Sequence, residues 1–239
     1  MSAVQYHQRG RVMTATLAGV LMMVAVALFL VAATAQQPAA SPSPSAAIPA
    51  REGSRGSSIS TSVASAATVR TTADATPSVG PILGLSRPVL LDVPRIGIHD
   101  ARLMELGLAK DGAIQVPPLG KNSPAGWYRD SPTPGQLGPA VIVGHLDSAW
   151  AGPAIFYQLG ALRPGDIVTV TRADRIVAVF RVDSVEKYAK SAFPTLRVYG
   201  NTDHSALRLI TCGGRFNTAK RSYEDNIVVY AHLVSSHRA

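Results

Sequence analysis

The chain has 239 residues, 46% of them hydrophobic and 16% charged, with a formal net charge of +8. The basic surplus is dispersed, with no run of five basic residues and no nucleic-acid motif, so nucleic acid is not an expected partner and an anionic cell surface suits the charge better. A single cysteine, Cys212, excludes an internal disulfide framework. In chain order, residues 1–12 contain Arg9 and Arg11 and no acidic residue. Residues 13–35 are 23 positions without charge or proline, long enough to cross the hydrocarbon core as one helix. The basic flank keeps residues 1–12 as a cytoplasmic tail and places everything after the helix outside the cell. Ala33-Thr34-Ala35 also fits a small-x-small cleavage site, but the apolar run exceeds the usual signal-peptide length of about 7–15 residues. The expectation is a single-pass membrane anchor over 13–35, and either reading exports the rest of the chain.

Residues 36–85 change in texture. Of the 46 residues 36–81, 34 are Ser, Ala, Pro, Thr or Gly, and none is aromatic. Such a stretch buries too little apolar area to offset its ordering entropy. It reads as a disordered stalk with a root-mean-square reach of roughly 40 Å, enough to lift a domain away from the membrane. Residues 86–239 form one domain's length of globular sequence. Short β-rich runs recur there at 88–98, 113–116, 140–144, 166–172, 175–185, 206–212 and 226–233. Arg172-Ala173-Asp174-Arg175 reads as a hairpin turn, and 154–162 and 191–199 each suit one or two helical turns. Seven or eight short strands with few helices predict a mainly β barrel or sandwich.

Two strands end alike. Leu209-Ile210-Thr211-Cys212 runs into Gly213-Gly214, and Val141-Ile142-Val143 runs into Gly144-His145. Each places a reactive side chain at a strand end, where scaffolds present functional groups to loops. A thiol acts as a nucleophile when a base or ion-pair partner supports its thiolate, and His145 is the best placed histidine for that work. His99, His204, His232 and His237 lack the glycine-flanked setting, and His7 lies in the tail. Arg221 follows Cys212 by nine residues, near the start of the returning strand, where a guanidinium can face an oxyanion; Arg215 and Lys220 compete for the role. His145-x-Asp147 offers two metal ligands, but there is no paired cysteine or helical histidine motif, so no metal and no cofactor is expected.

The order of anchor, stalk, strand-end histidine, Leu-Ile-Thr-Cys strand and arginine resembles the sortases, Gram-positive cysteine transpeptidases. Leu209-Ile210-Thr211-Cys212 matches the family's Leu-x-Thr-Cys signature, with Arg208 where the family usually has threonine. Ala125-Gly126-Trp127-Tyr128, Ser131-Pro132-Thr133-Pro134-Gly135, Gly144-His145-Leu146-Asp147-Ser148, Cys212-Gly213-Gly214-x-Phe216 and Ser222-Tyr223-x-Asp225-Asn226 are similar to the class F branch of actinobacteria. The resemblance implies an eight-stranded β-barrel over 86–239 with a catalytic triad carried onto His145, Cys212 and Arg221. It implies cleavage of a Leu-Pro-x-Thr-Gly type signal, between Thr and Gly, in secreted proteins that bear it at their C-terminus. The acyl group then passes to a cell-wall precursor or pilin amine. Two other readings share the residues: an exported cysteine peptidase with water as acceptor, and a stalked, non-catalytic surface-binding domain with Cys212 in its core.

Overall fold

The β-branched runs of the predicted domain pair into eight strands that close on themselves. The computed structural model describes residues 39–47 and 80–239; the predicted anchor over 13–35 and most of the stalk lie outside the described residues. Among the described residues no helix is long and apolar enough to cross a membrane. The strands are β1 (Pro88–Val93), β2 (Ile98–Leu106), β3 (Ala125–Tyr128), β4 (Gly138–Val143), the small ribbon β5 (Asp147–Ser148) and β6 (Gly152–Pro153), β7 (Ile167–Arg172), β8 (Ile176–Ala189), β9 (Ser205–Asn217) and β10 (Ser222–Arg238). One short helix, α1 (Thr195–Tyr199), lies between β8 and β9. Around the barrel the order is β1-β2-β3-β4-β9-β10-β8-β7. The pairs β2–β3 and β4–β9 are parallel and the rest antiparallel. The expected mainly β, eight-stranded barrel with few helical turns is the fold observed.

Local chemistry sets the element boundaries. The apolar run at 88–98 is two strands, not one. Pro94 has no N–H to give a ladder, and a 3-10 turn at Pro94–Ile96 ends on Gly97 at φ 71°. The hairpin at 172–175 forms as expected, with Arg175 at φ 64°. Residues 113–116 make no strand. They contribute a single bridge between Leu108 and Ile114, and their apolar side chains line a cleft instead. Strand β3 escapes a periodicity search because four residues, one of them glycine, are too few to show a pattern.

Side chains alternate across the wall. Leu91, Ile142, Phe180, Leu209 and Val229 point inward and are fully buried. On the outer face of β4, β9 and β10, Val141, Ile210, Val228 and Tyr230 form a second cluster covered by Val198 of α1. Both ends of the predicted stalk that the structure describes are packed. Residues 39–47 carry a 3-10 turn at Pro44–Ala46, with Ala46 buried in the barrel core. The Ala40 carbonyl lies against Gly160, where a Cβ would collide with it. Ahead of β1, the Leu83 N–H donates to the Gly135 carbonyl at 2.8 Å. Arg172 donates to the carbonyls of Gly84 at 2.7 Å and Pro134 at 2.8 Å, and pairs with Asp174 at 2.8 Å. Composition averaged over the stalk hides these contacts, because their partners come from distant sequence.

Candidate active site

Strand register brings His145 and Cys212 together, although β9 does not end at Cys212 as expected: pairing with β10 carries it on through Gly213 and Gly214 to Asn217. In the parallel pair β4–β9, Gly138 lies beside Ser205 and Val143 beside Ile210. The Gly144 N–H continues that ladder to the Ile210 carbonyl at 3.1 Å. Two residues further along each chain come His145 and Cys212, and both line one cleft on the outer face. Gly144 is required where the chain leaves the strand, since a Cβ there would sit 2.6 Å from the Phe156 ring. On β9 the pleat sends Leu207 and Leu209 inward, and Ile210 and Cys212 to the cleft side. Across the sheet, Cys212 is paired with Asn226 of β10, which also lines the cleft.

The cleft has a volume of about 700 Å³. One wall is the β2–β3 connection, with Leu108, Ile114, Val116 and Pro117; the other includes Thr195 and Tyr199 of α1. His145 is held from the first wall, its Nε2–H donating to the Pro117 carbonyl at 2.7 Å. A carbonyl only accepts, so Nε2 carries the proton and Nδ1 is the nitrogen left for proton exchange. The Tyr223 hydroxyl on β10 donates to the Asp147 carboxylate at 2.6 Å, tying the strand that faces Cys212 to the loop that carries His145. Burial and this bond hold the Tyr223 hydroxyl well above its ordinary range. Phe216 packs edge-on against the Tyr223 ring, with centroids 5.1 Å apart.

The cations distribute less simply. The structure brings His145 and Cys212 to one cleft and leaves Arg221 outside it, exposed in the β9–β10 turn at φ 49°. Arg215 is bound to Glu224 through bonds of 3.1 and 3.3 Å, and this pairing lowers the Glu224 pKa. Contact with the thiol comes from Lys190, just beyond β8, whose Nζ lies 3.6 Å from Cys212 Sγ and 3.0 Å from Ser222 Oγ. Tyr223, Asn226 and Asp147 sit in segments that already carried the family resemblance. No such signal marks Lys190, which falls five residues past the predicted strand end at 185. Arg208, standing where the family usually has threonine, is buried beneath α1, donates to the Val198 carbonyl at 3.2 Å and stacks 4.5 Å from the Tyr230 ring centre. Among the described residues no three His, Cys, Asp or Glu side chains gather as metal ligands.

A thiol and an imidazole opening onto one largely apolar cleft, with a lysine ammonium 3.6 Å from the thiol, are parts suited to acyl transfer through a thioester. Similar solved structures include a SrtA sortase from Actinomyces oris (20% identity over 68% of this chain and 89% of that one, TM-score 0.49). Sortase C of Streptococcus pneumoniae is 18% identical over 64% and 68%, with TM-score 0.47. A lid mutant of sortase A from Corynebacterium diphtheriae is 21% identical over 63% and 73%, with TM-score 0.45. No curated protein matches the sequence. The sequence profile of the sortase domain matches residues 91–234, nearly the whole barrel. With more than half of its length covered by that profile, the chain belongs to the sortase family of cysteine transpeptidases.

Proposed function

We propose that this sortase cleaves a Leu-Pro-x-Thr-Gly type signal between Thr and Gly and passes the acyl group to an amine. The observation that carries the proposal is the parallel β4–β9 register, which opens Cys212 and His145 onto one cleft. The Cys212 thiolate attacks the Thr carbonyl carbon. As the tetrahedral intermediate collapses, the bond to the Gly nitrogen breaks and the His145 imidazolium gives its Nδ1 proton to that nitrogen. The thioester on Sγ is then attacked by the acceptor amine, His145 takes the amine proton, and Sγ leaves as thiolate. Leu108, Ile114 and Val116 supply the apolar surface that suits the Leu-Pro end of the signal.

The segments shared with the class F branch support placing the chain there. The predicted anchor over 13–35 supports a single-pass protein of the cell membrane with the catalytic domain extracellular, acting on secreted proteins beside the wall. The acceptor is the amine of a cell-wall precursor or of a pilin lysine. The test is mass spectrometry of the products from a Leu-Pro-x-Thr-Gly peptide library incubated with several amines. Amide products that depend on Cys212 are expected, and Cys212→Ala cleaving at near wild-type rate would remove the nucleophile assignment. Hydrolysis products alone, whatever amine is added, would favour a peptidase.

A further inference from the structure

We infer that Arg208 is a positioning residue for the peptide substrate, holding α1 in place as one wall of the cleft. The inference rests on the acyl-transfer reading above for the identity of that peptide. The wall has little means of holding itself. With five residues, α1 is far shorter than the roughly 12–15 that an isolated helix needs in water. Its N-cap position is Pro194, and no side chain caps it there. The last carbonyls of a helix have no partner within it, and the Val198 carbonyl is one of these. Arg208 supplies the missing donor, its Nε–H bonding the Val198 carbonyl at 3.2 Å.

Arg208 reaches α1 from the sheet beneath. On β9 it stands in register between Val141 of β4 and Tyr230 of β10, four residues before Cys212 and on the same face by the pleat. It is 6% exposed. Its Nη1–H donates to the Leu207 carbonyl at 3.1 Å, and the guanidinium lies 4.5 Å from the Tyr230 ring centre. The Tyr230 hydroxyl in turn shares a hydrogen bond of 3.2 Å with that of Tyr188. The guanidinium is thus fixed by the strand and by a ring that is itself tied down. Arg197 gives α1 a second tie, to Glu186 at 3.5 Å, but that side chain is half exposed and such pairs hold weakly. Thr195 and Tyr199 lie on either side of Val198 in α1, and both line the cleft opposite Ile114 and Val116. Losing the Arg208 bond leaves the wall free to leave its place. A closed cleft that is populated less often weakens apparent affinity by the same fraction. Cys212 and His145 are aligned by the β4–β9 backbone register, so the bond-breaking step is not touched.

Arg208→Met keeps a long, unbranched side chain under Val198 and removes every donor, whereas Arg208→Lys keeps a charged donor. Hydrogen exchange over residues 195–204, followed by mass spectrometry, is expected to speed up about tenfold in Arg208→Met and to return most of the way in Arg208→Lys, with β9 unchanged. With a Leu-Pro-x-Thr-Gly peptide, KM is expected to rise about tenfold in Arg208→Met while kcat stays within about twofold of wild type. Iodoacetamide is expected to alkylate Cys212, the only cysteine, at the wild-type rate in both variants. Unchanged exchange over 195–204 in Arg208→Met would overturn the inference, as would exchange that quickens throughout the barrel. Fast local exchange with an unchanged KM, or a fall in kcat alone, would also overturn it and leave Arg208 a role in stability. Local quickening in a protein whose wild type cleaves no sorting peptide would keep the hold on α1 and reject the substrate reading alone.

Discussion

Arg172 shows how one side chain organises the approach to the barrel. Its guanidinium is almost fully buried and makes bonds to three separate segments: the Gly84 carbonyl ahead of β1, the Pro134 carbonyl in the β3–β4 loop, and the Asp174 carboxylate in the hairpin turn. A charge so placed is tolerable because its donors are matched. The Arg172 bond holds the Asp174 carboxyl below its ordinary 3.8. A carboxyl depressed in the folded state contributes stability that is complete above its unfolded value and is lost as pH falls through the folded one. Asp174→Asn should therefore lower the thermal midpoint near neutral pH, and the gap from wild type should close as pH drops below about 4. Melting curves of both proteins across that range check this, and a gap that stays constant would rule out the linkage. None of this was legible in the sequence, where Arg172 and Asp174 read only as turn residues. Cys212 and His145 stood out because each follows an apolar run beside glycine, although β9 continues past Cys212 to Asn217 because β10 pairs with it there. Arg221 illustrates the limit: spacing along the chain fixed its distance in residues, whereas the long hairpin decides which way its side chain faces.

At the level of elements, the β9–β10 hairpin carries Cys212, Asn226 and Tyr223, and its shape depends on an irregularity. Pairing runs regularly from His232–Ala206 to Asp225–Gly213, then shifts before Tyr223–Phe216. Gly214 sits at that shift with φ 73°, and a Cβ there would run into the Asp225 carboxylate. The shift accompanies the turning of the Tyr223 hydroxyl to Asp147. Gly214→Ala should cost about 1–2 kcal/mol from the backbone alone, and should depress kcat/KM more than kcat/KM falls in a surface variant of equal stability. Urea unfolding together with peptide kinetics measures both, and a stable, fully active variant would show that the irregularity is incidental. The family segment Gly213-Gly214-x-Phe216 announced the glycines without their reason, which is cross-strand and therefore invisible to local pattern. Strand lengths were under-read for the same cause: β8 runs to Ala189 and β10 to Arg238 because each has a neighbour to pair with along that whole length, not because of their own residues.

For the whole molecule, the barrel and the segment 39–47 form one unit with a shared core. Ala46 is small enough to enter that core without a cavity mismatch, and a carboxylate there would be buried without a partner. Ala46→Asp should destabilise the domain by about 1–3 kcal/mol, read as a lower urea midpoint, although the position lies far outside the family profile. A variant as stable as wild type would show that the segment merely rests on the barrel. The parallel β4–β9 pair has a different consequence for the molecule as a whole. His145 and Cys212 are 67 residues apart in the chain, and β7, β8 and α1 are all made between them. A parallel partner has no short turn to help it find its place, so this pairing is among the contacts that demand the largest loss of chain freedom. The imidazole and the thiol therefore meet only once β4 and β9 have paired, so the cleft they share is a product of long-range folding and is absent from any part of the chain taken alone.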